Sequence, residues 1–353
     1  MTSKNPILQK YNTLSKIYNQ IWIVVIVLAI GLLIMQIASG NLTGSNDKIQ
    51  VSEFNCYQTP DKELVGFKNY EPQTNTDLSI IEFNQIIKTK LKVNEIPPIN
   101  NPKFTQNHSE VLKCLDENEK GILIENRENI RIYPFTILQQ HLIVNDKIEE
   151  KPVLISYCAL CNSPNVYERT LDDKILTFGT TGLLYRNNDL FYDDLSDSLW
   201  SQLNGKAIVG DSVGQSLTPL NFKIVKIKEF IETHPKAYLM TFDTGSKRNY
   251  ADTTFTDYAK SPKTLSAVIN SSEEFKPKDI VFGFKIEDKS YAINSENAEK
   301  ENFSVKTPDE TIIKSISEDG SIRLIVNDQE IQYIQSYWYV WYDHYPETIA
   351  LKP

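Results

Sequence analysis

The chain has 353 residues and a formal net charge of −9, with 24% charged and 41% hydrophobic residues, the proportions of a folded protein. That acidic balance argues against a nucleic-acid partner, because neutralising phosphates needs Lys and Arg. It suits an extracytoplasmic surface without naming what that surface meets.

Residues 1–20 carry Lys4, Lys10 and Lys16 and no acid. From Ile21 to Ala38 the chain reads IWIVVIVLAIGLLIMQIA, uncharged throughout. A run of this length crosses a hydrocarbon core as a helix. Trp22 sits where an interfacial ring is favoured, and the lysines before the run keep the N-terminus cytoplasmic. The expectation is a single-pass membrane anchor over 21–38, with the rest of the chain extracytoplasmic. A cleaved signal peptide is the alternative, since Ile37-Ala38-Ser39-Gly40 offers small residues for cleavage. Both readings export the remainder.

Residues 39–95 read as a stalk and a preface. Asn41–Asn46 is polar and flexible in composition. The apolar positions Ile80, Ile81, Phe83, Ile86 and Ile87 predict a helix over Leu78–Ile87. Asn-x-Ser/Thr sequons at Asn41, Asn107, Asn270 and Asn302 permit glycosylation. The Pro-punctuated Ile96-Pro97-Pro98-Ile99-Asn100-Asn101-Pro102 opens the main domain, 96–353.

Beyond it, short runs rich in Ile, Val, Tyr and Phe between turn residues predict strands. The clearest are Ile122–Ile124, Asn129–Tyr133, Val153–Tyr157, Val166–Arg169 and Ile175–Phe178, with a hairpin turn at Leu171-Asp172-Asp173-Lys174. Others follow at Phe222–Ile227, Ala237–Phe242, Val281–Ile286, Tyr291–Ile293, Thr311–Ser317, Ile322–Val326 and Ile331–Tyr339. Short helices are expected over Phe135–Gln140 and Ile227–His234. The aromatic run Tyr337–Tyr342 reads as a core strand, with a sugar-stacking platform as the minor alternative. The fold class is α+β, mainly β: an N-terminal transmembrane helix followed by a β-rich globular ectodomain. Gly121–Tyr133 and Val281–Ile293 echo one another as strand, acidic or amide turn, strand. Two related hairpins and coincidence both account for that echo.

The densest stretch of chemistry-bearing residues runs from Arg131 to Gly210. Its pieces are Arg131-Ile-Tyr133-Pro134, His141-Leu-Ile-Val-Asn145-Asp146, Tyr157-Cys158-Ala-Leu-Cys161, Phe178-Gly179-Thr-Thr-Gly182-Leu-Leu-Tyr185 and Ser198-Leu-Trp200-Ser-Gln202. Together with the Ile96–Phe104 opening and the closing Tyr337-Trp-Tyr-Val-Trp341, they keep an order that resembles the domain of unknown function 3179 family over roughly Ile96 to Ala350. The resemblance implies an extracytoplasmic domain, often behind a signal or anchor, and carries no established activity. The chain departs from the family pattern at Ala159 (usually Pro), Asn162 (usually Gly), Leu142 (usually an acid) and Thr181 (usually Ser).

Cys158 and Cys161, three apart after a buried-looking strand, can bridge as a disulfide or grip one ion. Asn162-Ser163-Pro164 follows and opposes a helix, so the pair reads as a turn. Three readings stand. An oxidised pair, structural or redox-active, fits an exported protein. A metal site would use both thiolates with His141 and Asp146, a donor set suited to copper or zinc. Two inert buried thiols are the third. Local pairing would leave Cys56 and Cys114 as a staple between preface and domain.

His141 is a candidate ligand or general base, or else a structural histidine beside a turn. Arg131 either clamps an anion or pairs with an acid of its own chain. Gly179 and Gly182 make an anion nest or a tight turn. Asp193, a candidate pocket residue close in sequence to Asp194 and Asp197, offers paired carboxyls of the kind glycosidases use or else a solvated acidic turn. Tyr157, Tyr185, Trp200 and Gln202 complete the candidate pocket. No Walker loop, dinucleotide fingerprint or Gly-x-Ser-x-Gly elbow is present. Two functional classes result: a metal- or redox-active exported protein centred on the cysteine pair, and a binding or scaffold module in which those residues are architecture. An enzyme of unspecified reaction is a third.

Overall fold

The computed structural model describes residues 71–353 except 128 and 253. The expected anchor over 21–38 and Cys56 lie outside the described residues. Among those described, no helix is long and apolar enough to cross a membrane.

The described strands form one nine-stranded sheet, two five-stranded sheets, a four-stranded sheet and a two-stranded hairpin. Helices are few and short, so the domain is mainly β. The two-stranded piece turns through Asp172 and Asp173, both at positive φ, as the Leu171–Lys174 turn signal implies.

The frame is a unit used twice. In the first, Lys120–Asn126 and Asn129–Pro134 form a hairpin that runs into helix Phe135–Leu138. Later in the chain, Lys223–Lys226 adds antiparallel to the first strand, helix Ile227–Thr233 follows, and Tyr238–Met240 returns parallel to the second strand. In the second unit, Ile280–Ile286 and Lys289–Asn294 run into helix Ser295–Ala298. Ile334–Tyr337 then adds antiparallel, helix Trp338–His344 follows, and Ile349–Leu351 returns parallel.

The registers correspond residue for residue. Ile122 pairs with Tyr133 and Ile224, as Phe282 pairs with Ile293 and Gln335. Leu239 lies against Ile132, as Ala350 lies against Ala292. Both later helices end alike. His234 and Tyr345 have φ near −124 and −130, each donates its N–H to a carbonyl four residues back, and a Pro follows each. The echo between the two hairpins is therefore a repeated fold unit.

Two expectations need correction. The Tyr337–Tyr342 aromatic run is not one strand: after Tyr337 the chain becomes a helix that buries Trp338, Tyr339, Val340 and Trp341. Aromatic residues favour strands on average, but a helix buried on nearly every side takes them equally well. Leu78–Ile87 is not a helix either. Phe83–Gln85 is a single 3-10 turn and Ile86–Lys88 is a strand on the edge of Phe178–Tyr185. Ile80 and Phe83 remain exposed, so no apolar face exists for a helix to bury.

Between the halves of the first unit, residues 139–222 supply four strands of each five-stranded sheet, and Ile86–Lys88 and Ile99–Asn100 complete them. In one, Lys151–Cys158 is buried at every position after Lys151, since both its faces are covered. In the other, Phe178 meets Trp200 edge-on at 6.0 Å and Phe191 at 6.3 Å, joining the sheet to the main core.

Candidate functional site

Cys158 and Cys161 are joined in a disulfide across the turn between Lys151–Cys158 and Ser163–Glu168, with Cα atoms 5.2 Å apart. Asn162, at φ 51°, closes that turn in a left-handed conformation that Asn tolerates better than most residues. Both cysteines are 0% exposed. Tyr337, Tyr339 and Val340 from the second unit pack over them. The Tyr337 N–H donates to the Cys161 carbonyl at 2.8 Å, and the Tyr339 hydroxyl donates to the Leu160 carbonyl at 3.2 Å. Asn188 Nδ2 donates to Gln202 Oε1 at 2.9 Å and lies 3.3 Å from Cys161 Sγ. Gln202 Nε2 donates to the Ser163 carbonyl and the Ser156 hydroxyl. Exchange needs a thiolate to reach a sulfur, and this packing denies the approach.

The same geometry gives the metal reading no support among the described residues. Both sulfurs are bonded to each other. His141 is fully buried, and burial pushes its pKa down to about 3, with the charge of Arg248 acting in the same sense and the Pro97 carbonyl against. The ring is therefore neutral. A carbonyl can only accept, so Nδ1 donates to Pro97 O at 2.8 Å, and the Nε2 lone pair takes the Tyr250 hydroxyl at 2.8 Å. Thr244 then donates to the Tyr250 oxygen. Asp146 accepts from Arg131 Nη1 at 2.7 Å, the Tyr133 hydroxyl at 2.6 Å and the Lys147 N–H at 2.7 Å. Among the described residues no group of three or more His, Cys, Asp or Glu could hold an ion. Arg131 thus pairs with an acid of its own chain, and its guanidinium lies over Phe104 at 4.8 Å.

The other predicted pocket residues are also framework. Asp193 is buried and gathers a turn: it accepts from the N–H groups of Leu195 and Ser196, the Ser196 hydroxyl, and Trp200 Nε1 at 2.8 Å. Gly179 is required because a Cβ there would lie 2.3 Å from the Tyr192 ring. Gly182 sits at φ +69° in the bulge between Thr180 and Leu183, and its carbonyl accepts from Thr89. Tyr157 stacks on Phe135 at 4.5 Å and donates to Asn162, and Tyr185 meets the His344 ring edge-on at 5.7 Å. Cys114 is disulfide-bonded; its expected partner, Cys56, lies outside the described residues.

What the motif segments do share is a cavity, built from the residues beside the polar ones. Ile96, Leu142, Ala159, Leu160, Thr180, Thr181, Gly182, Leu184, Asp189 and Phe191 wall a space of about 40 Å³, with Phe255 also lining it and Lys92 contributing an exposed edge. Of the predicted pocket set only Gly182 reaches it. Ala159 and Leu160 are the two residues between the bridged cysteines. Leu142 is held at φ 62°, costly for a branched side chain, by its N–H to the Leu138 carbonyl and its carbonyl to the Tyr157 N–H.

Asp189 is the functional candidate that sequence reading missed. It shares a strand face with Phe191, which enters the main core, while Leu190 and Tyr192 pack on the opposite side. Its carboxyl has no hydrogen bond or ion pair among the described residues. Burial alone raises its pKa from 3.8 to about 7. An acid opening the run Leu190-Phe191-Tyr192 was the available signal.

A family model described as "Protein of unknown function (DUF3179)" matches residues 93–332. No curated protein and no solved structure matches the chain.

Proposed function

The chain belongs to the DUF3179 family, and on that premise we propose that it is an extracytoplasmic binding domain, tethered to the membrane through residues 21–38. In this reading the Cys158–Cys161 disulfide is architecture and sets one wall of a small, largely apolar binding pocket. The observation that carries it is the placement of the Cys-x-x-Cys loop. Its sulfurs are sealed from solvent while the two residues between them face the cavity. Ligand sites are commonly apolar with a few placed polar groups, and this cavity has such a lining at a size that fits only a very small molecule. The uncharged run after three lysines supports the tether, and a closed disulfide suits the exterior compartment.

Mass-shift alkylation of the full-length protein tests the proposal. In intact cells Cys158 and Cys161 resist alkylation, and in the purified folded protein they resist mild reductant until denaturant is added. Rapid reduction of the pair in the native state would return it to redox chemistry.

A further inference from the structure

We propose that the cavity takes a short, neutral molecule bearing one acceptor oxygen, such as a small ketone or amide, and that Asp189 holds that oxygen by donating a hydrogen bond. The inference rests on the pocket reading above and names the chemistry of its occupant.

The hydroxyls in the wall are already committed. Thr180 donates to the Ile96 carbonyl at 2.8 Å, Thr181 to the Leu190 carbonyl at 2.6 Å, and Thr89 to the Gly182 carbonyl at 2.8 Å. Each has spent its only proton on the backbone. The remaining enclosed wall is aliphatic or aromatic: Leu91, Ile96, Leu142, Ala159, Leu160, Leu184 and Phe191. Asp189 is the one uncommitted polar side chain among the described residues of the enclosed wall. It is half-buried, and its carboxyl has no protein partner among the described residues, so a ligand oxygen would compete there with water alone.

The sign of that partner follows from what surrounds it. Tyr339, on helix Trp338–His344, is the titratable group close enough to feel Asp189, and its hydroxyl is occupied by Leu160 and Tyr258. Helix Thr254–Lys260 contributes Phe255, which is apolar. Lys92, from the segment before Ile96, is exposed at the edge. With no cation inside, the carboxyl keeps its proton near neutrality. A protonated carboxyl is a donor, and its natural complement is a neutral oxygen. An ammonium ligand would have to leave water for a cavity whose only counter-charge must itself be desolvated. Size limits the occupant too, since about 40 Å³ holds roughly three water-sized groups.

Methyl resonances of Leu142, Ala159 and Leu160 in the full-length protein provide the readout, with xenon, acetone and ethylamine as probes. Acetone should perturb all three at pH 5.5 and bind about tenfold or more weakly at pH 8.5, as the donor is lost. Asp189→Asn, which keeps an N–H donor, should bind acetone equally at both pH values. Asp189→Leu should lose acetone and retain xenon. If xenon enters but acetone shows no pH dependence, or if Asp189→Leu keeps acetone, the role of Asp189 falls and the pocket stands. Preferential binding of ethylamine at pH 8.5 also overturns it. If xenon fails to enter, the pocket and the inference fall together.

Discussion

In the first unit, helix Ile227–Thr233 buries Ile227, Phe230 and Ile231 under its own hairpin. In the second, helix Trp338–His344 buries five of its seven residues, and Tyr339 and Val340 pack beyond the hairpin onto the Cys158–Cys161 loop. The strand before it, Ile334–Tyr337, lies against Ser163–Glu168. The frame is the same, but the insertions differ. Residues 139–222 of the first unit supply the disulfide, most of the two sheets and much of the cavity wall, while the second unit's insertion adds strands Ser304–Lys306, Ile312–Glu318, Ser321–Val326 and Gln329–Ile331 to the nine-stranded sheet. One copy carries the site and the other clamps it. A repeated unit thus permits division of labour: the register is kept where backbone pairing demands it, and the side chains are free to differ where each helix meets its neighbour.

The clamp can be broken at equivalent positions. Phe230→Ala and Trp341→Ala each remove a buried ring at the same point of the unit, and each should cost about 3–5 kcal/mol in denaturant titration. Only Trp341→Ala should also expose the disulfide to reductant. Equal exposure in both variants would show that the second unit holds no special place.

Next comes the ion pair of the first unit. Arg131→Ala leaves the largely buried Asp146 without its cation and should destabilise by about 3 kcal/mol. The second unit has Tyr291 at the corresponding register position, so the loss has no counterpart there. A loss below about 1 kcal/mol, the range of a surface pair, would contradict the burial argument.

A smaller effect is expected from Cys158→Ser. A loop this short contributes about 2 kcal/mol through the unfolded chain. Binding of xenon should weaken with stability, because Ala159 and Leu160 lose their fixed turn. Unchanged binding in the variant would remove the disulfide from the description of the pocket.

The finest test is pH. Folded Asp189 titrates near 7 and the unfolded side chain near 3.8, so between those values the native state holds a proton that the unfolded state has released. Stability from this group is therefore greatest at low pH and declines as pH rises toward 7, by at most about 1.4 kcal/mol per unit, then stays level. His141 acts oppositely. It stays neutral in the fold down to about pH 3 while the unfolded ring binds a proton below 6.5, so acid destabilises through it. The prediction is consequently a difference: Asp189→Asn should gain on the unmodified protein steadily from pH 4 to pH 7. A constant gap across that range would mean that Asp189 is not held protonated.

Much of the frame was legible because strand pairing follows local pattern. Alternating apolar residues located the hairpins Lys120–Pro134 and Ile280–Asn294, and Asp172-Asp173 gave the turn between two short strands. The cysteine pair was legible as a turn from Asn162-Ser163-Pro164. The site was much less so. Arg131, His141, Asp193 and Gln202 looked like chemistry because they are polar, yet each spends its hydrogen-bonding capacity inside the fold.

By itself, then, the sequence determined a β-rich domain, the family, and a cysteine pair poised to bridge, and it offered an echo that the strand registers turned into a repeat. These depend on neighbours along the chain, where spacing and residue type suffice. Only the tertiary structure decided that the aromatic run turns helical at Trp338, that the sulfurs are sealed beneath Tyr337 and Tyr339, and that Asp189 faces an apolar space without a partner. Burial and desolvation arise from segments distant in sequence, such as Ile96, Leu142, Ala159 and Phe255. No local pattern encodes which of them will meet.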